Sequence, residues 1–262
     1  MKLKSIILLV LCLLIFGFSV QAESKSSMTE LDKLADETLQ LTKFGRYEEA
    51  KKVMERFGSL FSEKGVLERH FTMDELRVIT AAHHEAEKAL TSINLNENER
   101  VKKVTAFRLA TDAVISKYQP LWSQMERPIM SAFDDVKSAA LEGDESLYNS
   151  QLNEFLSTYS VIQPSIKIDV SVEKVQKLDS RIAFIDQNRT SFSEQKWMKE
   201  LEGLETDLKK LFSEINKDDT DPSIWWVMIM TGGIIISTLS YVSWRKYRGQ
   251  KMQKQKRKGP ND

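Results

Sequence analysis

The run His83-His84-Glu85-Ala86-Glu87 brings metal-type ligands together on one short stretch. On a helix, His83 and Glu87 stand one turn apart and His84 and Glu87 three residues apart, a spacing at which imidazole and carboxylate can share a cation. A closed zinc site needs four ligands, and the only other histidine is His70 while the single cysteine is Cys12. The run therefore reads as a core histidine, His83, on an apolar stripe beside a solvent-facing His84. Nucleophilic chemistry finds no frame either: no Gly-x-Ser-x-Gly elbow, P-loop or Gly-x-Gly-x-x-Gly fingerprint occurs. Acidic residues are abundant enough to supply a carboxylate pair for glycoside cleavage. They sit, however, in runs such as Glu99-Arg100-Val101-Lys102-Lys103 and Glu173-Lys174-Val175-Gln176-Lys177, where charge patterning along a helix already accounts for them. No catalytic residue, cofactor site or metal site is assigned, and the expectation is a protein that is not an enzyme.

The elements that carry these residues are helical, and the expected fold is all-α. Trp197, Leu201, Leu204, Leu208, Leu211 and Ile215 recur at 4-3-4-3-4 spacing, an a/d seam that must face another helix. Leu76, Ile79, His83, Ala86 and Leu90 form a second stripe behind a Thr72-x-x-Glu75 capping box. Val104, Phe107, Val114 and Tyr118 form a third behind an Asn96 cap. Pro120, Pro164 and Pro222 are expected in breaks, with Pro128 in a first turn. The alternation of Ser-Ile-Lys-Ile-Asp-Val-Ser-Val, 165–172, suggests a short extended connector or strand. Asn188-Arg189-Thr190 fits a glycosylation acceptor and is read only as a loop.

Both ends bear on cellular address. Residues 1–22 have Lys2 and Lys4, an apolar run from Ser5 to Phe18 and a Val20-Gln21-Ala22 cleavage site, the pattern of a signal peptide; an uncleaved N-terminal anchor is the alternative. Removal would take Cys12 with it, leaving a mature chain without disulfides, cysteine-bound zinc or a thiol nucleophile. Residues 224–244 carry no charge and would reach roughly 31 Å as a helix, matching a bilayer core of about 30 Å. Trp225 and Trp226 at one end and Tyr241, Trp244 and Tyr247 at the other have the placing of interfacial aromatic belts. Arg245, Lys246 and Arg248 open a tail, 245–262, holding eight cations and one acid. An acidic stalk, 218–223, precedes the span. The basic side stays in the cytoplasm, so the chain reads as a single-pass protein of the cell membrane with its body outside. Gly233 and Ser237 form a small-xxx-small pair that offers a contact for a homodimer, a lone monomeric span being the alternative.

The chain carries 38 basic and 38 acidic residues, but the charge is segregated. Setting aside Lys2, Lys4 and the eight tail cations leaves 28 basic residues against 37 acidic ones without Asp262, so residues 23–223 carry −9. A body this acidic excludes nucleic acid as an expected partner.

Lys43-Phe44-Gly45-Arg46-Tyr47, followed by Ala50 and Met54, resembles the opening of a tetratricopeptide helix. Such an array repeats every 34 residues, and 34 beyond Gly45 is Ile79, inside a helix, so no array is present. An offset of 98 does better. From Gly45 to Gly143 it pairs Met54 with Leu152, Phe57 with Phe155 and Phe61 with Tyr159. Offsets of 99 and 97 pair the next two stripes with Val175, Leu178, Ile182 and Ile185 and with Leu201, Leu204, Leu211 and Ile215. Two duplicated four-helix units over 23–126 and 127–217 are one reading; chance alignment of amphipathic helices is the other. The link around Trp122, Met125 and Met130 reads as a packed elbow.

Over nearly its full length, from signal peptide through Leu41-Thr42-Lys43-Phe44-Gly45-Arg46-Tyr47-Glu48-Glu49-Ala50 to late span and basic end, the chain resembles the YpjB family of sporulation proteins from Bacillus-type endospore formers. The resemblance implies a role in endospore formation with expression in the mother cell, and a place in the mother-cell or outer forespore membrane. It implies no catalytic residue. The functional expectation is a helical module that meets another envelope protein outside the cytoplasm. A small-ligand sensor is the alternative, and a cell-wall hydrolase a less favoured one.

Overall fold

A computed structural model describes residues 22–63, 71–116, 119–191, 195–215 and 222–256. Residues 1–21 of the signal peptide expected over 1–22 and positions 218–221 of the expected stalk lie outside them. The described residues are helical, without strands. The chain divides into two compact units, Met1–Asn216 and Lys217–Asp262.

The first unit holds α1 (Ala22–Lys43), α2 (Tyr47–Phe61), α3 (Met73–Thr91), α4 (Glu97–Ile115), α5 (Glu126–Glu142), α6 (Glu145–Asp169), α7 (Val172–Gln187) and α8 (Gln195–Ile215). Short 3-10 turns at Leu121–Met125 and Arg189–Ser191 interrupt the α-helices. Local chemistry sets the ends. Gly45 takes φ +71°, and the amides of Gly45 and Arg46 return to the carbonyls of Thr42 and Leu41 at 3.0 and 2.9 Å, closing α1 in a Schellman turn. Gly143 repeats the left-handed stop at φ +73°, and Asp144 caps α6 by accepting from the Leu147 amide at 2.9 Å. The Thr72–Glu75 capping box and the Asn96 cap both form as the sequence predicts.

A Cβ at Gly45 or Gly143 would meet nothing within 4 Å, so any penalty there is purely backbone strain. Gly45→Ala and Gly143→Ala are each expected to cost about 1 kcal/mol in urea denaturation of the body.

Two apolar cores result. Leu31, Leu34, Met54, Phe57, Ile79 and Phe107 belong to the first, built by α1–α4. Trp122, Phe133, Phe155, Ile162, Leu204 and Phe212 belong to the second, built by α4–α8. In the first, α1 and α3 each pack on both α2 and α4; in the second, α5 and α7 each pack on both α6 and α8. The α4–α6 contact joins them. Helix α4 serves both cores, sending Val104, Phe107 and Ala110 to one and Ala106, Leu109 and Ala113 to the other. Its second face is absent from the single stripe read in the sequence, because alanines carry little apolar weight.

One segment departs from expectation. Residues 165–169 are helical rather than extended, and Pro164 lies inside α6 rather than in a break. Tyr148, Leu152, Phe155, Tyr159, Ile162 and Ile166 are all buried at 4-3-4-3-4 spacing. Burial of that continuous seam outweighs the hydrogen bond that Pro164 removes from the Ser160 carbonyl. The seam on α8 is buried from Trp197 to Leu211 as read, with Phe212 added.

The second unit contains α9 (Pro222–Lys256), one helix that begins inside the expected stalk and runs on into the basic tail.

Candidate functional site

Val227–Tyr247 within α9 is 21 residues long and apolar enough to cross a membrane, and none of it is buried against protein. Ile224, Trp225 and Trp226, which start the span read from the sequence, belong to the same helix, as does Arg248; their side chains lie outside the described ones. Tyr241 and Trp244 are exposed with ring centroids 6.5 Å apart, one turn before Tyr247. Arg245 and Lys246 follow directly, exposed. Aromatic residues with cations behind them suit the border between hydrocarbon and water. Gly233 and Ser237 lie one turn apart, and a Cβ at Gly233 would meet nothing.

In the body, His83 packs its ring between Phe57 and Phe107, with centroids 5.8 and 5.5 Å away. Its Nε2 lies 3.2 Å from the Met54 carbonyl. His84 is exposed. Among the described residues no group of three His, Cys, Asp or Glu side chains is placed to hold a metal.

The buried polar side chains fasten helices to one another. Arg100, at the start of α4, donates to the carbonyls of Ala89 and Leu90 from one nitrogen and of Ser92 and Leu95 from another. Its guanidinium also lies 4.3 Å from the centroid of the Tyr47 ring. These carbonyls are the unpaired end of α3 and the loop after it, so one cation closes a helix terminus and binds three elements. Arg108 on α4, buried, faces Asp32 and Asp36 of α1 at 3.0 and 3.6 Å and Asp112 at 3.8 Å. Sequence reading missed both arginines, because a charge on an amphipathic helix is expected at its solvated face. On the second core, Trp197 Nε1 donates to Tyr148 Oη at 3.1 Å, and Tyr159 Oη donates to Asp179 at 2.8 Å. Burial raises the phenol pKa of both tyrosines. Glu205 lies 2.5 Å from Lys137 and 2.6 Å from Lys209, and hydrogen bonds from both hold its carboxyl below the usual range.

At the elbow, Trp122 is fully buried; it touches the Phe212 ring and donates from Nε1 to Asp169 at 2.7 Å. Asp112 accepts from the Leu121 amide at 2.7 Å. Burial pushes the Asp169 carboxyl up to about 6, the Trp122 bond opposing and the charges of Asp112 and Glu75 adding to the rise. The folded chain therefore holds this proton more tightly than the unfolded one, whose aspartates titrate near ~3.9. The stabilising contribution of Asp169 is fully present below about pH 4 and is lost as pH rises through about 6. The residue retains an exposed face, so the effect is modest. Compared with native protein, Asp169→Asn should lose a component of melting temperature that rises on acidification from pH 7.5 to 5; identical pH profiles would refute this.

The sequence model of a family described as Sporulation protein YpjB matches residues 28–257, taking in most of α1, α2 through α8 and the whole of α9. A protein of Bacillus subtilis (strain 168), described as Uncharacterized protein YpjB, is 34% identical over 263 residues, covering 99% of this chain and 100% of its own. No solved structure matches the chain. Helical body and apolar C-terminal helix thus fall within one family pattern, and the chain belongs to the YpjB family of sporulation proteins.

Proposed function

We propose that this is a single-pass membrane protein of endospore formation whose helical body lies outside the cytoplasm and engages another envelope protein without catalysing a reaction. The observation that carries the reading is α9, a membrane-length apolar helix with Tyr241, Trp244, Arg245 and Lys246 at one end. Cations on that side favour a cytoplasmic C-terminus, and the body precedes the span. A non-catalytic role is supported by how the polar side chains are used. Arg100, Arg108, Tyr159 and Trp197 each spend their hydrogen bonds or charge on a neighbouring helix or loop. Crosslinking from the body in sporulating cells is expected to recover one defined envelope protein; recovery of bulk envelope proteins alone would contradict the reading.

The body is further read as two duplicated four-helix units. Gly45 and Gly143 share a left-handed turn 98 residues apart, and Met54/Leu152, Phe57/Phe155 and Phe61/Tyr159 are buried pairs at that offset. Phe57 stacks on Phe61 at 5.7 Å and Phe155 on Tyr159 at 6.2 Å. Both sets of four helices close the same ring of packing partners. At the offset of 97, the face of α4 that meets the second core, Ala106, Leu109 and Ala113, becomes Gly203, Thr206 and Lys210 on α8. A face so polar gives no seat to a third unit, so the pattern ends at two.

A further inference from the structure

Where α3, α4 and α6 run side by side, the body has an open groove of about 280 Å³. Ala82 and Ala106, both buried, form its floor, and Val78, Ala81 and Pro164 its walls. Small side chains on α3 and α4 keep the floor low. At one end the cations are already paired, Lys103 with Glu85 at 3.3 Å and Lys102 with Glu154 at 3.2 Å and Glu99 at 3.6 Å. At the other, Lys167 on α6 is exposed and has no ion-pair partner among the described residues. Pro164 has no N–H, so the Ser160 carbonyl on the groove wall lacks its helical donor and can accept from elsewhere.

We propose that this groove binds a small amphipathic organic anion, its apolar body on the alanine floor and its single carboxylate, sulfonate or phosphate at Lys167. The volume, just under the ~300 Å³ at which ligand pockets begin, suits only a small molecule, whereas a docked helix would need a trough about 10–12 Å wide along several turns. Residues 23–223 carry −9, so Lys167 is the feature that lets an anion settle here. The bond to an exposed ammonium contributes modestly, and the apolar floor supplies most of the affinity.

The test uses the body alone, residues 22–216, because both apolar cores lie within it. Two fluorescent probes of one shape, 1-anilinonaphthalene-8-sulfonate and the uncharged N-phenyl-1-naphthylamine, are titrated separately. The native body should bind the sulfonate at one saturable site with Kd on the order of tens of micromolar, and the neutral probe about two- to fivefold more weakly. Ala81→Trp, which fills the groove from its exposed wall, should weaken both probes more than about tenfold. Val78→Trp provides the same test if that variant does not fold, folding being judged by cooperative melting. Lys167→Met should remove the preference for the sulfonate and leave the neutral probe bound as before. Absence of saturable sulfonate binding to the native body, undiminished binding in a folded wall variant, or a sulfonate preference that survives Lys167→Met would each overturn the proposal.

Discussion

Trp122→Ala is expected to destabilise the body by about 3–5 kcal/mol, the range for truncating a fully buried aromatic side chain. The indole is fully buried, touches Phe212 and gives its N–H to Asp169, so truncation opens a cavity and leaves that carboxylate without its donor. It also joins segments far apart in sequence, since the 3-10 turn after α4, the end of α6 and the last turns of α8 all converge on it. A domain's whole stability is only about 5–15 kcal/mol, so this variant should unfold at markedly lower urea concentration. Trp122→Phe keeps most of the packing and loses the donor, and is expected to cost about 1–2 kcal/mol. Equilibrium urea denaturation of the body measures both. A loss below about 1 kcal/mol for the alanine variant would mean that Trp122 is not the pivot of the elbow.

Arg100→Met is expected to cost about 3 kcal/mol, because it withdraws the hydrogen bonds to the carbonyls of Ala89, Leu90, Ser92 and Leu95 together with the stacking on Tyr47. Water can reach the loop carbonyls of Ser92 and Leu95, so their loss is partly recovered; Ala89 and Leu90 are buried residues and recover little. Arg100→Lys should rescue only a small part, since an ammonium cannot fork between two pairs of carbonyls. Hydrogen exchange is the sharper readout. Amides from Thr91 to Arg100 should exchange faster in the methionine variant, while those around Trp122 should be unchanged.

Much of the architecture is legible in the residues because it depends on period and caps. The α8 seam, the Thr72 box, the Asn96 cap and the glycine turn at Gly45 are all local signals, and each appears in the fold where the sequence places it. The errors have a common cause in tertiary packing. Ile166, Ile168 and Val170 alternate like a strand, yet the heptad that begins at Tyr148 carries α6 through Pro164, because both neighbouring helix layers bury it. The second face of α4 is written in alanine, which marks close approach rather than hydrophobicity. Arg100 and Arg108 were invisible for a related reason, as nothing in a helical pattern separates a guanidinium that binds carbonyls or carboxylates inside from one that faces water. Charge pairing was legible in kind but not in partner. Lys174 and Lys177 reach across to Glu214 and Asp207 on α8, at 2.5 and 2.8 Å, instead of pairing along their own helix.

The groove between α3, α4 and α6 was equally beyond the sequence. Its three walls come from helices separated by up to about ninety residues, and none carries a motif. The apolar C-terminal helix, by contrast, is legible from wholly local features, length, apolarity and flanking charge.

The central claim is the side of the membrane on which the helical body lies, and protease treatment of intact protoplasts tests it most directly. With the full chain tagged at its C-terminus, added protease should digest the body of intact protoplasts and leave a short tagged fragment containing α9. A body that stays whole in intact protoplasts and is degraded only after lysis would contradict the account.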